Sequence, residues 1–444
     1  MPQSPVVTVS VRGSRSALLL DVRYGRGHVA VEVPDGRLVS VLRGAPPPPL
    51  EDPEAAVGRA LESPIGCEGL SAMATGRRDA AVVVSDITRP APNALMLPPI
   101  VEALRRGGIH DDRITVLIAT GAHRRTSPPE LRELLGTRLA ATCRAVDHVA
   151  TDGEAHTCLG TTPQGVPLHI DRRYVEADLK ILTGLIEPHY MAGYSGGRKA
   201  VCPGLASVET IGQFHRHEIL MDARSTTGVL AGNPVHEAAL AAARAAGADF
   251  IVNAALDDQR RVTGVWAGEL EAAHLAGCHE VGRGALAVCP EPVDVVVTSN
   301  AGYPLDCNVY QATKGMVGAL AILKPGGTIL IAAQCSEGLG SAAFASVLRA
   351  HSSIEEALVR LADPSRFAVD QWGVTMLAKA VTQARVLIHS EGLLESDARS
   401  AYLTPVPSLQ AGLGQALALH GPDAKVAVIP DGPYTMATLA PDGS

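Results

Sequence analysis

The sequence predicts an α/β protein made of two α/β domains, each built on a mostly parallel, Rossmann-like sheet. Three observations carry that expectation. Short uninterrupted apolar runs such as Ala80–Ser85 (AAVVVS) have the length and composition of strands buried on both faces. These runs alternate with amphipathic helical stretches, the strand–loop–helix–strand grammar of a layered sheet. The same grammar restarts near Val293 (VDVVVTSN), where a second unit begins. The 444 residues suffice for two or three domains. Hydrophobic residues make up 46% and charged ones 19%, which places the chain among globular proteins and not disordered ones. Aromatic residues are only 3%, so the cores must be packed by Ala, Val, Leu and Ile. The net charge of −8, without a long basic run, argues against nucleic acid as a partner.

Taken in order, Val6–Val11 and Val29–Val33 alternate apolar and polar residues, as strands of a small antiparallel layer do. Ala45–Pro49 is a proline-rich linker, and a helical pattern runs from Glu54 to Leu61. Strands are expected at Ala80–Ser85, Ile114–Thr120, Leu179–Leu185 and Phe250–Leu256. Between them, helices are expected at Leu95–Arg106, ended by Gly107-Gly108, and at Pro128–Leu135. The second unit should carry a helix over Ala312–Leu323 and strands at Gly327–Ala332 and Arg385–His389. The last strand-like run, Lys425–Pro430, is expected to return to the first domain. Domain boundaries then fall at 1–285, completed by 410–444, and at 290–405, with Pro290–Val293 and Pro405–Leu409 as candidate hinges. The eight cysteines form no CxxC pair and read as reduced, mostly buried thiols of a cytoplasmic protein. No signal peptide and no membrane-spanning stretch is expected: Leu18-Leu19-Leu20 is too short an apolar region, and Asp21 ends it.

In open α/β sheets ligands sit beyond the carboxyl ends of the strands. Asp86, His123 and His189 each lie just past such an end, so three loops converge on one crevice. In Asp86-Ile87-Thr88-Arg89-Pro90, the Asp and Thr can bond a ribose or ring substituent, and Arg89 can fork onto a carboxylate or phosphate. The same residues also serve as a capped turn. Gly121-Ala122-His123-Arg124 places an imidazole at a strand end; by residue type alone it reads equally as a satisfied polar residue. The segment from Pro188 to Lys199 (PHYMAGYSGGRK) is richer. Its glycines allow close backbone approach and an anion cradle, and Lys199 offers an amine. It is not a Walker A loop, because the spacing is wrong and Ala follows Lys199. The plain alternative is a glycine-rich turn with a solvated Arg-Lys. His215 and His217, two apart, do not share a helical face, so at most one reaches a given site. One imidazole beside a soft, sulfur-rich cofactor suits nickel better than zinc. Gln311 and Lys314, three apart, share a face that could hold a carboxylate or simply be a polar helix surface.

The motifs DITRP (from Asp86), GAHR (from Gly121), EPHYMAGYSGGRK (from Glu187), the downstream His215, YQATKG (from Tyr310) and Asp370-Gln371-Trp372 occur in one order at compatible intervals. This series resembles the nickel-pincer lactate racemase (LarA) family, and the likeness extends to VIPDG near the end of the chain. The resemblance implies two α/β domains with the active site in the cleft between them. It implies a nickel-pincer mononucleotide cofactor, a pyridinium ring with a thioamide and a thiocarboxylate that hold nickel between them. Lys199 would carry it covalently, His215 would be the protein's ligand to nickel, and Asp86, Ile87, Thr88 and Arg89 would contact it. His123 and His189 would be the two acid/base residues. Gln311 and Lys314, with Arg89, would hold the substrate, and Trp372 would line the pocket. The partners implied are a small 2-hydroxy acid and the enzymes that mature the cofactor.

The chemistry is consistent with that set. The C–H bond of a 2-hydroxy acid is a very weak acid, so removing hydride while a base takes the hydroxyl proton is easier than removing the proton. Return of hydride to the other face of the planar keto acid inverts the centre, and a base on each side suits two histidines. One departure stands out. Relatives near lactate racemase often carry two phenylalanines after the catalytic His, where this chain has Tyr190-Met191. A flexible Met fills space less rigidly than Phe, so a C2 epimerase of a sugar acid or other larger 2-hydroxy acid is the alternative activity.

Overall fold

A computed structural model describes residues 17–363 and 370–441; the run Val6–Val11 lies outside them. The chain divides into two compact units. One spans Pro46–Gly284, and the other is assembled from the flanking segments, up to Ala45 and from Ala285 onward.

The chain enters through an antiparallel hairpin, β1 (Ala17–Tyr24) and β2 (Gly27–Pro34). Val22, Val31 and Val33 face the core and Leu19 faces solvent, the two-residue period of a half-buried strand. The short strand β3 (Leu38–Val41) follows, and then the chain leaves this unit at the proline-rich linker.

In the unit Pro46–Gly284, helix α1 (Pro53–Glu62) is capped by the Asp52 carboxylate, which accepts from the Ala55 amide at 2.9 Å. Strand β4 (Ala80–Ser85), helix α2 (Asn93–Arg106), strand β5 (Ile114–Ala119), helix α3 (Pro128–Thr142) and strand β6 (Arg144–Asp147) come next. Strand β7 (Leu179–Leu185), helix α4 (Val208–Phe214) and strands β8 (Phe250–Leu256) and β9 (Val262–Gly268) lie further along it. The six strands are ordered β9-β8-β7-β4-β5-β6, and all neighbours run parallel except the β8–β9 pair. Residues Ala80–Val84 are all buried, as the unbroken apolar run requires of a central strand. Each fully buried Val or Ile contributes roughly 1.5–3 kcal/mol of transfer free energy. Helix α3 runs on past Leu135, where the expected helix ended; Gly136 there has a φ of 75° and kinks it.

In the second unit, β10 (Val293–Ser299), helix α5 (Val309–Ala319), β11 (Leu323–Ala332), helix α6 (Gln371–Val381), β12 (Arg385–His389), β13 (Thr404–Pro405) and β14 (Val426–Ile429) follow in order. The sheet order is β13-β12-β11-β10-β14-β3, all parallel. This corrects the expected boundaries. The closing strand β14 lies between β10 and β3 and does not return to the first domain. The segment Ala17–Ala45 also belongs here, because β3 is the edge of this sheet and the hairpin packs Leu20 and Val22 into the same core as Val295 and Leu330. The Ala45–Pro49 linker does mark a unit boundary, whereas Pro405–Leu409 is no hinge between units: it lies inside one, partly as β13.

Candidate active site

Strands β7, β4 and β5 are neighbours, so the loops leaving their carboxyl ends are neighbours too. The loop after β4 carries Asp86, which is 5% exposed. Its Oδ2 lies 2.7 Å from His123 Nδ1 on the loop after β5. Its Oδ1 accepts the Thr88 hydroxyl at 2.6 Å and the Thr88 amide at 3.2 Å. Burial alone would raise the Asp86 carboxyl; the His123 bond and charge, the Thr88 hydroxyl and Arg89 together outweigh it and hold the group below the usual carboxylate range. The Asn93 side chain, at the start of α2, donates to Ser85 O at 3.0 Å and ties that helix to the end of β4 beside Asp86. His123 and Arg89 are exposed at the rim.

The loop after β7 brings His189 Nε2 to 2.8 Å from Lys199 Nζ. The amides of Met191 and Ala192 both donate to His189 Nδ1 at 3.2 Å. Lys199 keeps some exposed surface, yet the protein packed around its amine strips water from it. That desolvation, with the charges of Arg198 and Arg89, pushes the ammonium well below the ordinary lysine value. Arg89 and Lys199 thus share one local field although they come from different loops.

The glycine segment is not the open anion cradle expected from sequence. The Ser195 amide donates to Glu187 O, the Gly197 amide to Asn253 Oδ1 at 2.9 Å, and the Lys199 amide to Gly196 O. Gly197–Ala200 is a single 3-10 turn. Arg198 is not solvated either: it is 1% exposed and donates to the carbonyls of Ala192, Tyr194, Ser195 and Gly196, with His274 Nε2 at 2.8 Å. The glycines are needed because a side chain at Gly196 (φ 78°) would run into Asn253 and one at Gly193 (φ 76°) into the Val229 carbonyl. Arg198, Asn253 and His274 were missed as determinants of the site. Only Arg198 had a signal, its place beside Lys199 in a glycine-rich run; the other two approach from distant segments.

His215 closes helix α4 and is buried. Its Nδ1 donates to Ile211 O at 2.9 Å, which leaves Nε2 as the lone-pair nitrogen. Burial pushes its imidazolium down to about 3. His217 begins the next short helix and is half-buried. Gln311, Lys314 and Trp372 belong to the other unit. Gln311 and Lys314 lie one turn apart on α5, after the N-cap Asn308, and Trp372 Nε1 donates to Tyr310 Oη at 2.6 Å. Among the described residues no group of three or more His, Cys, Asp or Glu is placed to hold a metal ion, and no helix is long and apolar enough to cross a membrane.

A parallel sheet whose adjacent loops present a carboxylate-bound imidazole, a second imidazole and a desolvated amine defines an enzyme of the α/β class. Comparison with known proteins then says which. The family description "Lactate racemase N-terminal domain" matches residues 24–228, and "Lactate racemase C-terminal domain" matches residues 288–436. The lactate racemase of Thermoanaerobacterium thermosaccharolyticum is 35% identical over 418 residues, covering 93% of this chain and 97% of that protein. The lactate racemase of Lactiplantibacillus plantarum is 34% identical over 420 residues, 93% and 98% of the two chains. The solved apoprotein of the Thermoanaerobacterium enzyme superposes with a TM-score of 0.89 at 34% identity, over 94% of this chain and 99% of that one. A Thermotoga maritima protein at 20% identity and a TM-score of 0.64 shares the fold, over 90% of this chain and 100% of its own. The chain belongs to the lactate racemase family, and is an isomerase of the racemase type.

Proposed function

We propose that this enzyme racemises 2-hydroxy acids, lactate or a close analogue, with the nickel-pincer nucleotide as its cofactor. The observation that carries the reading is the set of three adjacent strand ends holding His123 on Asp86 and His189 on Lys199. The residues fit the cofactor that the family resemblance implies. Lys199 offers an amine whose protonated form is disfavoured, as a covalent acyl or thioacyl tether requires. His215 has its Nδ1 proton committed to a carbonyl, the arrangement typical of a metal-binding imidazole. When bound, the cofactor supplies the hydride acceptor.

The chain's own side chains do the rest. His123 Nε2 takes the hydroxyl proton of one enantiomer while Asp86 holds Nδ1 and steadies the imidazolium. His189 handles the proton on the opposite side. Arg89 grips the substrate carboxylate, with Gln311 and Lys314 as further polar contacts and Trp372 as an apolar wall. Asp86, Ile87, Thr88 and Arg89 border the cofactor. Separate maturation enzymes make the cofactor, so the chain is to be tested after co-expression with them.

Chiral chromatography over a panel of 2-hydroxy acids tests the activity, and peptide mass spectrometry reads an adduct on the Lys199 peptide. Interconversion of the lactate enantiomers with that adduct is the expected result. Turnover of polyhydroxy acids alone would favour the second reading, a C2 epimerase of a sugar acid, which the buried Tyr190-Met191 pair motivates. Full activity without nickel would overturn both.

A further inference from the structure

The two histidines are not equivalent, and the difference lies in what holds each Nδ1. At His123 the neighbour is the Asp86 carboxylate, 2.7 Å away, an acceptor that is itself pinned by the Thr88 hydroxyl and amide. An acceptor at Nδ1 places the imidazole proton there and leaves Nε2 as a lone pair. At His189 the neighbours of Nδ1 are donors, the amides of Met191 and Ala192, each at 3.2 Å. A nitrogen facing two N–H groups cannot carry a proton of its own without repulsion, so the proton sits on Nε2. The partner of Nε2 agrees: Lys199 Nζ at 2.8 Å can accept that proton's hydrogen bond when the amine is neutral. Desolvation of Lys199 favours the neutral amine.

We propose that His123 and His189 rest in opposite tautomers, His123 with Nε2 as a proton acceptor and His189 with Nε2–H as a donor, so that the enzyme waits ready for one enantiomer only. This rests on the two-histidine reading of the proposed function. The enantiomer whose hydroxyl meets His123 loses its proton to Nε2 directly, giving an imidazolium whose Nδ1–H stays on Asp86. The opposite enantiomer meets an N–H. Before His189 can take a proton at Nε2, the proton already there must leave to solvent and another must arrive at Nδ1, against the Met191 and Ala192 amides. Those amides belong to the loop itself, so the preference survives conversion of Lys199 into a tether.

Long-range proton–nitrogen NMR of the full-length cofactor-free chain, labelled with 15N-histidine, reads the tautomers without any turnover. His123→Asn and His189→Asn assign the two signals among the fifteen histidines. The expected pattern at neutral pH is a protonated Nδ1 at His123 and a protonated Nε2 at His189. Asp86→Asn, which can turn an amide donor toward His123, should move His123 to the Nε2–H form and leave His189 untouched; a purely structural carboxylate would change neither. The same tautomer at both histidines in the wild-type chain, or a protonated Nδ1 at His189, overturns the proposal. In the cofactor-loaded enzyme, rapid-quench mixing with each pure enantiomer should give first-turnover rates that differ several-fold; equal rates overturn the claim of one-sided readiness. Opposite tautomers in a chain that racemises nothing would sink the proposed activity and leave the tautomer assignment standing.

Discussion

Asp86 shows how much a single buried group can decide. It is acceptor to His123 and to two Thr88 donors, so its charge is stabilised where a lone carboxylate would be destabilised by burial. Asp86→Asn keeps the volume and removes the acceptor that sets the His123 tautomer. Racemase activity of the loaded enzyme should then fall by up to about 10⁴, the loss that the same change causes where a carboxylate sets the tautomer of a catalytic His; chiral chromatography measures it. His215 makes a different prediction. Its imidazolium is disfavoured in the folded chain down to about 3, while an ordinary histidine titrates near ~6.5. Below ~6.5 the unfolded chain binds a proton that the folded chain refuses, so stability falls as pH falls through that window. Between pH 6.5 and 5 this one group should cost up to ~2 kcal/mol. Denaturant midpoints at both pH values should show the loss in the cofactor-free wild type and a shallower one in His215→Leu. Sequence singled out His123 and His189 because each stands in a short motif past a strand end, Lys199 because it closes the glycine-rich run, and His215 as the histidine downstream of that run. It could not show Asn253 or His274, which reach the glycine loop from strand β8 and a later helix.

The glycine loop is the element on which the site turns. From residue types it reads as an open phosphate cradle, and in the fold it is a closed turn wound around a buried guanidinium. The physical reason is that backbone amides in a buried turn must find partners, and here the protein supplies them before any ligand does. The loop therefore holds the Lys199 backbone by bonds of its own. Gly196→Ala should be costly, because a methyl group there meets the Asn253 side chain and the φ of 78° is unfavourable for Ala. A loss of roughly 1–3 kcal/mol is expected, read as a fall in Tm, together with slower formation of the proposed Lys199 adduct in peptide mass spectra. Strands were legible almost to the residue where they are apolar on both faces, as at Ala80–Ser85 and Phe250–Leu256. Helix ends were less so. At α3 a glycine that looks like a stop is absorbed as a kink.

At the scale of the molecule, each unit has a core of its own. The cluster containing Val82, Val116, Ile181 and Val252 lies wholly within Pro46–Gly284. The clusters containing Val296, Ile329 and Ile388, and Val22, Val297 and Val428, draw only on the other unit. A fragment of residues 46–284 should therefore fold alone and unfold cooperatively, as followed by circular dichroism. Residues 285–444 without the first 45 should not, since β14 would lose β3 and the β1–β2 hairpin would leave Val297 and Leu330 uncovered. Failure of the first fragment to show a sharp transition would contradict the separate cores.

By itself the sequence determined the α/β class, the position of nearly every buried strand, and the family, because apolar period and ordered motifs are local properties that survive in a string of letters. Tertiary structure decided which segments share a sheet, that β3 pairs with β14, and which groups face the ring nitrogens of His123 and His189. Those outcomes depend on partners far apart in sequence: β3 against β14, Asn253 against Gly197, Asp86 against His123. No local pattern encodes such pairings, since they are set by how loops and strands meet once the cores have packed.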